Sequence, residues 1–318
     1  MYARTARVSR RCWSAEAPAA AGRSQKTWKV WARMRPAASS SSPPAPCTAE
    51  TALSHVFAIT MLDSARNPDL MQACAAARLP CFMYPAVTKA SVDVKAQFAI
   101  AMKDAPPVLP LRTTIIHSNL TAGELALALS HRNIYDAVLM NRLPCALVLE
   151  SDAAFIDGFG ERLRAMALPA RFDVLKLEGC NGESAAHPAE ASANATAPPF
   201  RAARGQGGWC SAAYLLSWQG ARLLRALQTP VWLQSDGAFR ALDPLNNRQL
   251  DAALARMSSD PKWNATLTER FGGPLRAVRV FHTVPPMAWQ RAGATERDKR
   301  RDEAGWDPSL WLRGRVPI

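Results

Sequence analysis

No run of roughly 18 apolar residues occurs in this 318-residue chain, so it holds no stretch long enough to cross a bilayer as a helix. Its seven cysteines contain no C-x-x-C pair, which excludes a zinc knuckle, and they are too sparse for a disulfide scaffold. Cys145, inside an apolar run, reads as a small core residue. There is no G-x-S-x-G and no H-E-x-x-H, and the cluster Gly205-Gln206-Gly207-Gly208 lacks the P-loop lysine. Serine-hydrolase elbows, zinc-protease helices and Walker-type phosphate loops are therefore set aside. Charged residues make up only 20% and aromatics 8%, while 48% of the chain is hydrophobic, enough for one large core or two small ones.

The charge that is present is unevenly placed. Of a net +13, +7 falls in residues 1–50, where nine arginines and lysines face only Glu16 and Glu50. The rest is moderately basic, as suits a protein handling anionic diphosphates. It carries no zinc-finger spacing, no aromatic ribonucleoprotein motif and no basic heptad, so no nucleic-acid partner is expected.

Residues 1–50 are rich in Arg, Ala, Ser and Pro and cannot bury enough surface to offset chain entropy; they are predicted to be a disordered tail. The tail resembles an organelle transit peptide or an upstream stretch translated in error. Three sequons, at Asn119, Asn194 and Asn264, permit a secretory location. From residue 51 to 290 strand and helix signals alternate. Val56–Met61, Thr113–His117, Cys145–Leu149, Phe172–Leu177, a short strand from Tyr214 and Ala277–Phe281 read as strands. Asn67-Pro68 opens a helix to about Arg78, and Thr121 with Glu124 has capping-box spacing for a helix to about Arg142. A further helix spans Gly220 to Gln228, residues 181–208 read as a surface loop, and residues 291–318 as a charged C-terminal tail. Alternation of this kind predicts an α/β domain with a mostly parallel sheet, whose ligands bind beyond the carboxyl ends of the strands.

Glu150-Ser151-Asp152 stands directly after the most apolar strand. Two carboxylates one residue apart at a strand end can share one hard cation, Mg²⁺ or Mn²⁺, with a substrate diphosphate completing its shell; a solvated acidic turn is the plainer reading. Glu124 and His131, seven residues apart, fall on one helix face with Leu127, Ile134 and Val138, where a histidine serves either a core hydrogen bond or a site. His282, at the predicted end of the last strand, suits a third metal ligand or a diphosphate contact as well as a plain surface position. Trp209 and Trp232 suit either core packing or stacking against a sugar.

Five blocks occur in a telling order: TAGELALALSHRNIY from Thr121, ALVLESDAAF from Ala146, FDVLKLEG from Phe172, SAAYLLSWQGARLL from Ser211 and VPPMAWQ from Val284. Together they resemble glycosyltransferase family 25, the lipooligosaccharide and procollagen galactosyltransferase-like enzymes, over residues 55–290. The opening VFAITMLDSARNPDL is similar too, with Thr60 and Met61 where the family keeps an asparagine. The resemblance implies a nucleotide-sugar transferase type A fold, a Rossmann-like three-layer sandwich. It further implies a metal-dependent, inverting hexosyltransferase that moves galactose from a UDP-sugar to a hydroxyl on a glycan, lipid or protein acceptor.

Glu150 and Asp152 match the outer acids of the family's E-D-D motif and are the expected metal and donor ligands, with Ser151 in the middle place. Glu124 and His131 match its G-E and S-H pairs. Asp236 matches an aspartate after a proline-led segment and is the expected base, although an aspartate there can equally cap a turn. Ser151 in place of an acid also admits a catalytically inactive sugar- or nucleotide-binding relative. Family members work in the secretory lumen or at the bacterial inner membrane.

Overall fold

A computed structural model describes residues 44–61, 64–93, 120–179, 200–204, 210–229, 231, 233–245 and 247–291, all within one unit of residues 41–318. The elements in chain order are α1 (Ala49–Ser54), β1 (Val56–Thr60), α2 (Asn67–Ala76), β2 (Cys81–Pro85), α3 (Ala122–Met140), β3 (Cys145–Glu150) and β4 (Ala153–Phe155). They continue with α4 (Phe159–Ala165), β5 (Val174–Lys176), β6 (Arg201–Arg204), β7 (Ala213–Ser217) and α5 (Trp218–Leu227). The chain then forms α6 (Ser235–Ala241), α7 (Arg248–Ser259), α8 (Pro261–Phe271), β8 (Val280–Val284) and β9 (Ala288–Gln290).

Among the described residues seven strands form one sheet in the order β2-β1-β3-β7-β5-β8-β6, and β4 pairs with β9 in a second, two-stranded sheet. β1 is parallel to β2 and β3, and β5 to β8; β7 runs against both β3 and β5, and β6 against β8. Five strands therefore share a direction, and the class is α/β with a mostly parallel, Rossmann-like sheet. The reason is visible in β3, whose burial is continuous from Cys145 to Leu149, as a strand covered on both faces requires. Its alternate residues go to different apolar clusters. Ala146 and Val148 join Ile134, Leu224 and Leu254 from α3, α5 and α7. Cys145, Leu147 and Leu149 join Leu53, Leu70 and Leu163 from α1, α2 and α4.

Local chemistry sets the element ends. The Thr121 hydroxyl accepts from the Glu124 amide at 3.2 Å, and the Glu124 carboxylate accepts from the Thr121 amide at 2.9 Å, so the capping box forms as its spacing predicts. Gly220 sits where α5 meets the start of β5, and a Cβ there would lie 2.1 Å from the Asp173 carbonyl oxygen. Only glycine fits that approach.

Several expectations need correction. Arg201–Arg204 is a strand inside the stretch read as a loop. The last long strand begins at Val280 rather than Ala277, because Ala277 is bonded through its amide to Asp251. Asn67 is the first helical residue and not the cap; its side chain instead accepts from the Thr60 hydroxyl and donates to the Met61 carbonyl at 2.8 Å. Cys145 is a buried core residue as expected, but it is disulfide-bonded too. Cys47 is bonded to Cys145 across 98 residues, Cys74 to Cys81, and Cys210 is disulfide-bonded as well. Residues 47–50, placed in the basic tail on composition, join the folded unit: Thr48 caps α1, and Ala49 is buried with Ala52 and Leu53. The strand expected at Thr113–His117, the sequons at Asn119 and Asn194, Trp209, Trp232, the 205–208 glycines and residues 292–318 lie outside the described residues.

Candidate active site

The carboxyl ends of β3 and β5 and the incoming end of β7 gather a polar cluster on the α3 side of the sheet. Register explains the gathering. Val148, Tyr214 and Lys176 are cross-strand partners, so they and the residues two further along, Glu150 and Glu178, face one way. α3 lies over that face and lowers His131 onto it. His131 Nε2 is 3.1 Å from Glu150 Oε1, and its Nδ1 is 2.7 Å from the Tyr214 hydroxyl. The imidazole is 1% exposed and the Glu150 side chain 13%, so Glu150 is the outermost member of a buried chain. The Ser211 hydroxyl donates to the same Oε1 at 2.5 Å and lies 3.0 Å from the Ser235 hydroxyl at the start of α6. Tyr214 stacks on His131 and meets Phe239 edge-on. Burial raises its hydroxyl well above the usual phenol range, and the neighbouring Tyr135, Glu150 and Glu178 act in the same direction.

Asp152 lies beyond the turn, at the small sheet. Its Oδ2 accepts from Gln290 Nε2 at 2.8 Å and faces Arg66 Nη1 at 3.4 Å, while its backbone carbonyl accepts from the Arg291 amide. Its Oδ1 is buried with no hydrogen-bond partner among the described residues. Burial, then the charge of Glu150, raises the Asp152 carboxyl, against the lowering effects of Gln290 and Arg66. Ser151 stands half-buried in the turn between Glu150 and Asp152.

Glu178, which sequence reasoning passed over, is as deeply buried as Asp152. Its Oε2 accepts from the Ala213 amide at 3.1 Å, and its Oε1 is buried with no partner among the described residues. Burial pushes its carboxyl up to about 8; Lys176 pulls it down and Glu150 adds to the rise. A signal for it existed, because Glu178 follows Val174–Leu177 as Glu150 follows Cys145–Leu149. Tyr135, Ser211 and Ser235 gave no comparable sign.

The other expected residues fall differently. Glu124 is one member of the α3 capping box, two turns and about 10 Å along the axis from His131. Asp236 is buried in the first turn of α6 beside Ser235, with Oδ1 accepting from the Gly237 amide at 2.8 Å. His282 is in the middle of β8 rather than at a strand end, and its register partner is Lys176. It therefore shares the cluster's face, but three strand spacings, about 14 Å, separate β8 from β3. Among the described residues no three His, Cys, Asp or Glu side chains stand close enough to hold one metal ion.

No curated protein matches the chain. No helix among the described residues is long and apolar enough to cross a membrane. Residues 108–237, which carry α3, β3, β5, β7 and the first turn of α6, match the model of glycosyltransferase family 25 (LPS biosynthesis protein), the family its sequence blocks resemble and one that implies glycosyl transfer from a sugar donor to a glycan acceptor.

Proposed function

We propose that this chain is a hexosyltransferase that moves galactose from a UDP-sugar to a hydroxyl of a glycan, lipid or protein acceptor, with inversion and with Mn²⁺ or Mg²⁺. We read its fold as the three-layer nucleotide-sugar transferase type A arrangement. The observation that carries the reading is the pair of carboxylates at the end of β3, one of which, Asp152, keeps a buried oxygen with no partner among the described residues. Burying such an atom costs about 1–3 kcal/mol unless something binds it.

That oxygen fits a hard cation, and Asp152 is the residue that would hold one, with the donor diphosphate supplying most of the remaining ligands. Glu150 would act beside it as a second negative charge, since its Oε1 already takes two hydrogen bonds. His282, strands away, suits a contact to the donor better than a shared metal shell. When bound, the metal neutralises charge on the departing diphosphate. Arg66, beside Asp152, offers a further positive charge on that side.

Asp236 is the proposed base. It would take the proton of the acceptor hydroxyl as that oxygen bonds to the anomeric carbon and the bond from that carbon to the diphosphate oxygen breaks on the opposite face. Glu124 would hold the α3 start in place rather than touch substrate. A second reading, a catalytically inactive relative that binds sugar or nucleotide, is favoured by Ser151 and by the engagement of Glu150 with His131 and Ser211.

Calorimetric titration of the full chain with UDP, with and without Mn²⁺, separates the two when paired with a screen of UDP-sugars for hydrolysis. The transferase reading expects metal-dependent UDP affinity and release of UDP from at least one donor. UDP binding that ignores the metal, with no turnover of any donor, would establish the binding-protein reading instead.

A further inference from the structure

We propose that Tyr214 is a positioning residue of the donor site: its hydroxyl pins the His131 ring so that Nε2–H is presented to Glu150. The inference rests on the reading of Glu150 as a donor-site carboxylate, but its hydrogen-bond content stands on the geometry alone. Proton counting around the chain carries it. The single proton of Ser211 goes to Glu150 Oε1. Ser235, 3.0 Å away, must then donate to Ser211. On the other arm, His131 Nε2 meets the same Glu150 oxygen at 3.1 Å, and a carboxylate oxygen can only accept. With Nε2 carrying the ring proton, Nδ1 is an acceptor, and the Tyr214 hydroxyl 2.7 Å away donates to it. The Tyr135 hydroxyl, one turn along α3 from His131, interacts with the Tyr214 hydroxyl as well. Both arms, Ser235–Ser211 and Tyr214–His131, thus run toward Glu150.

None of these groups is adjacent in sequence. His131 comes from α3, Glu150 from β3, Tyr214 from β7 and Ser235 from α6, so the chain ties four elements to one carboxylate oxygen. The ring of Tyr214 is held independently of its hydroxyl, with its centroid 5.7 Å from that of His131 and 4.9 Å from that of Phe239. Tyr214→Phe therefore removes the pin and leaves the packing.

The test uses the full chain with ¹⁵N-labelled histidine and long-range ¹H–¹⁵N correlation at pH 7.5, beside steady-state hydrolysis of the preferred UDP-sugar. The wild type is expected to show His131 with its proton on Nε2 and a hydrogen-bonded Nδ1. In Tyr214→Phe the Nδ1 signal moves to the unbonded imine position. kcat falls roughly tenfold, the size expected when a residue that orients a ligand-bearing side chain is lost, and KM stays within about twofold. In a His131→Gln background, already slowed, adding Tyr214→Phe costs nothing further, because the ring to be pinned is gone. A proton on Nδ1 or on both nitrogens of His131 in the wild type would overturn the inference. So would an unchanged kcat in Tyr214→Phe, or an additive loss in the double variant. If no UDP-sugar is turned over, the nitrogen signals still decide the bonding pattern, and the failure belongs to the transferase reading alone.

Discussion

Buried carboxylates occur at both ends of the central sheet, and their company differs sharply. At the amino end of β5, Asp173 takes two bonds from Arg276, at 2.5 and 2.9 Å, and one from the Arg279 amide at 2.7 Å. Asp243, against the start of β8, is gripped by both terminal nitrogens of Arg204 and by the amides of Leu245 and Val280. The Cys47–Cys145 bridge ties the first residue of β3 to the chain before α1. At the carboxyl end, Asp152 and Glu178 are nearly as deep, yet each keeps an oxygen with no partner among the described residues. Structural carboxylates are saturated because an unpaired buried charge costs several kcal/mol. Where saturation is withheld from two acids at the end where ligands bind, the deficit points to a ligand.

The largest effect expected is on the saturated end. Cys47→Ser opens a 98-residue loop and should cost about 4 kcal/mol in denaturant unfolding, with donor hydrolysis retained below the melting range. Bridges of this kind persist in oxidising surroundings, so growth in a reducing compartment should give the same loss without any substitution. Asp173→Asn should follow, at about 3 kcal/mol, since it strips Arg276 of its partner. The comparison breaks if Asp152→Asn costs as much as Asp173→Asn, because Asp152 would then be a structural acid like the others.

Glu178 gives a pH test. Its carboxyl ordinarily titrates near 4.5 and is raised to about 8 in the fold, so the folded state holds the proton more tightly than the unfolded one. The contribution to stability is complete below about 4.5 and is lost as pH rises through about 8. Glu178→Gln, neutral at every pH, should flatten the decline of stability across that window; a decline as steep as the wild type's would show that other groups cause it. The smallest effect is Thr121→Ala, which should cost about 1 kcal/mol through loss of the α3 cap. Its kcat should be near that of the wild type, and a large loss would place the Glu124 turn in the site after all.

Much of this fold was legible because periodicity and cap chemistry are local. β1, β3 and α3 lie where their apolar runs and the Thr121 box predict. The short helices α4 and α6 escaped, since seven residues carry too little period. The disulfides escaped because nothing in a sequence marks Cys47 and Cys145 as neighbours. The site was half legible. Glu150, Asp152 and His131 were picked out by strand-end position and by the family blocks, and the sheet brings Glu150 and His131 into contact. Glu178 carried the same strand-end signal as Glu150, whereas Tyr214 and Ser211 enter only through cross-strand placement, which no local pattern encodes. His282 shows the converse: a chemically suitable residue at the right height, on a strand too far across the sheet.

Asp152, the underpaired acid beyond the end of β3, is proposed to serve a sugar nucleotide. The most direct measurement is UDP release from the preferred UDP-sugar by the full chain and by Asp152→Asn, each with Mn²⁺ and with excess chelator, with melting curves recorded on the same samples. The wild type should release UDP only when the metal is present. Asp152→Asn should lose at least roughly a hundredfold, the scale of removing a group that stabilises developing charge, with the melting temperature unchanged or raised. Robust release in excess chelator, or near wild-type turnover by Asp152→Asn, would contradict that role.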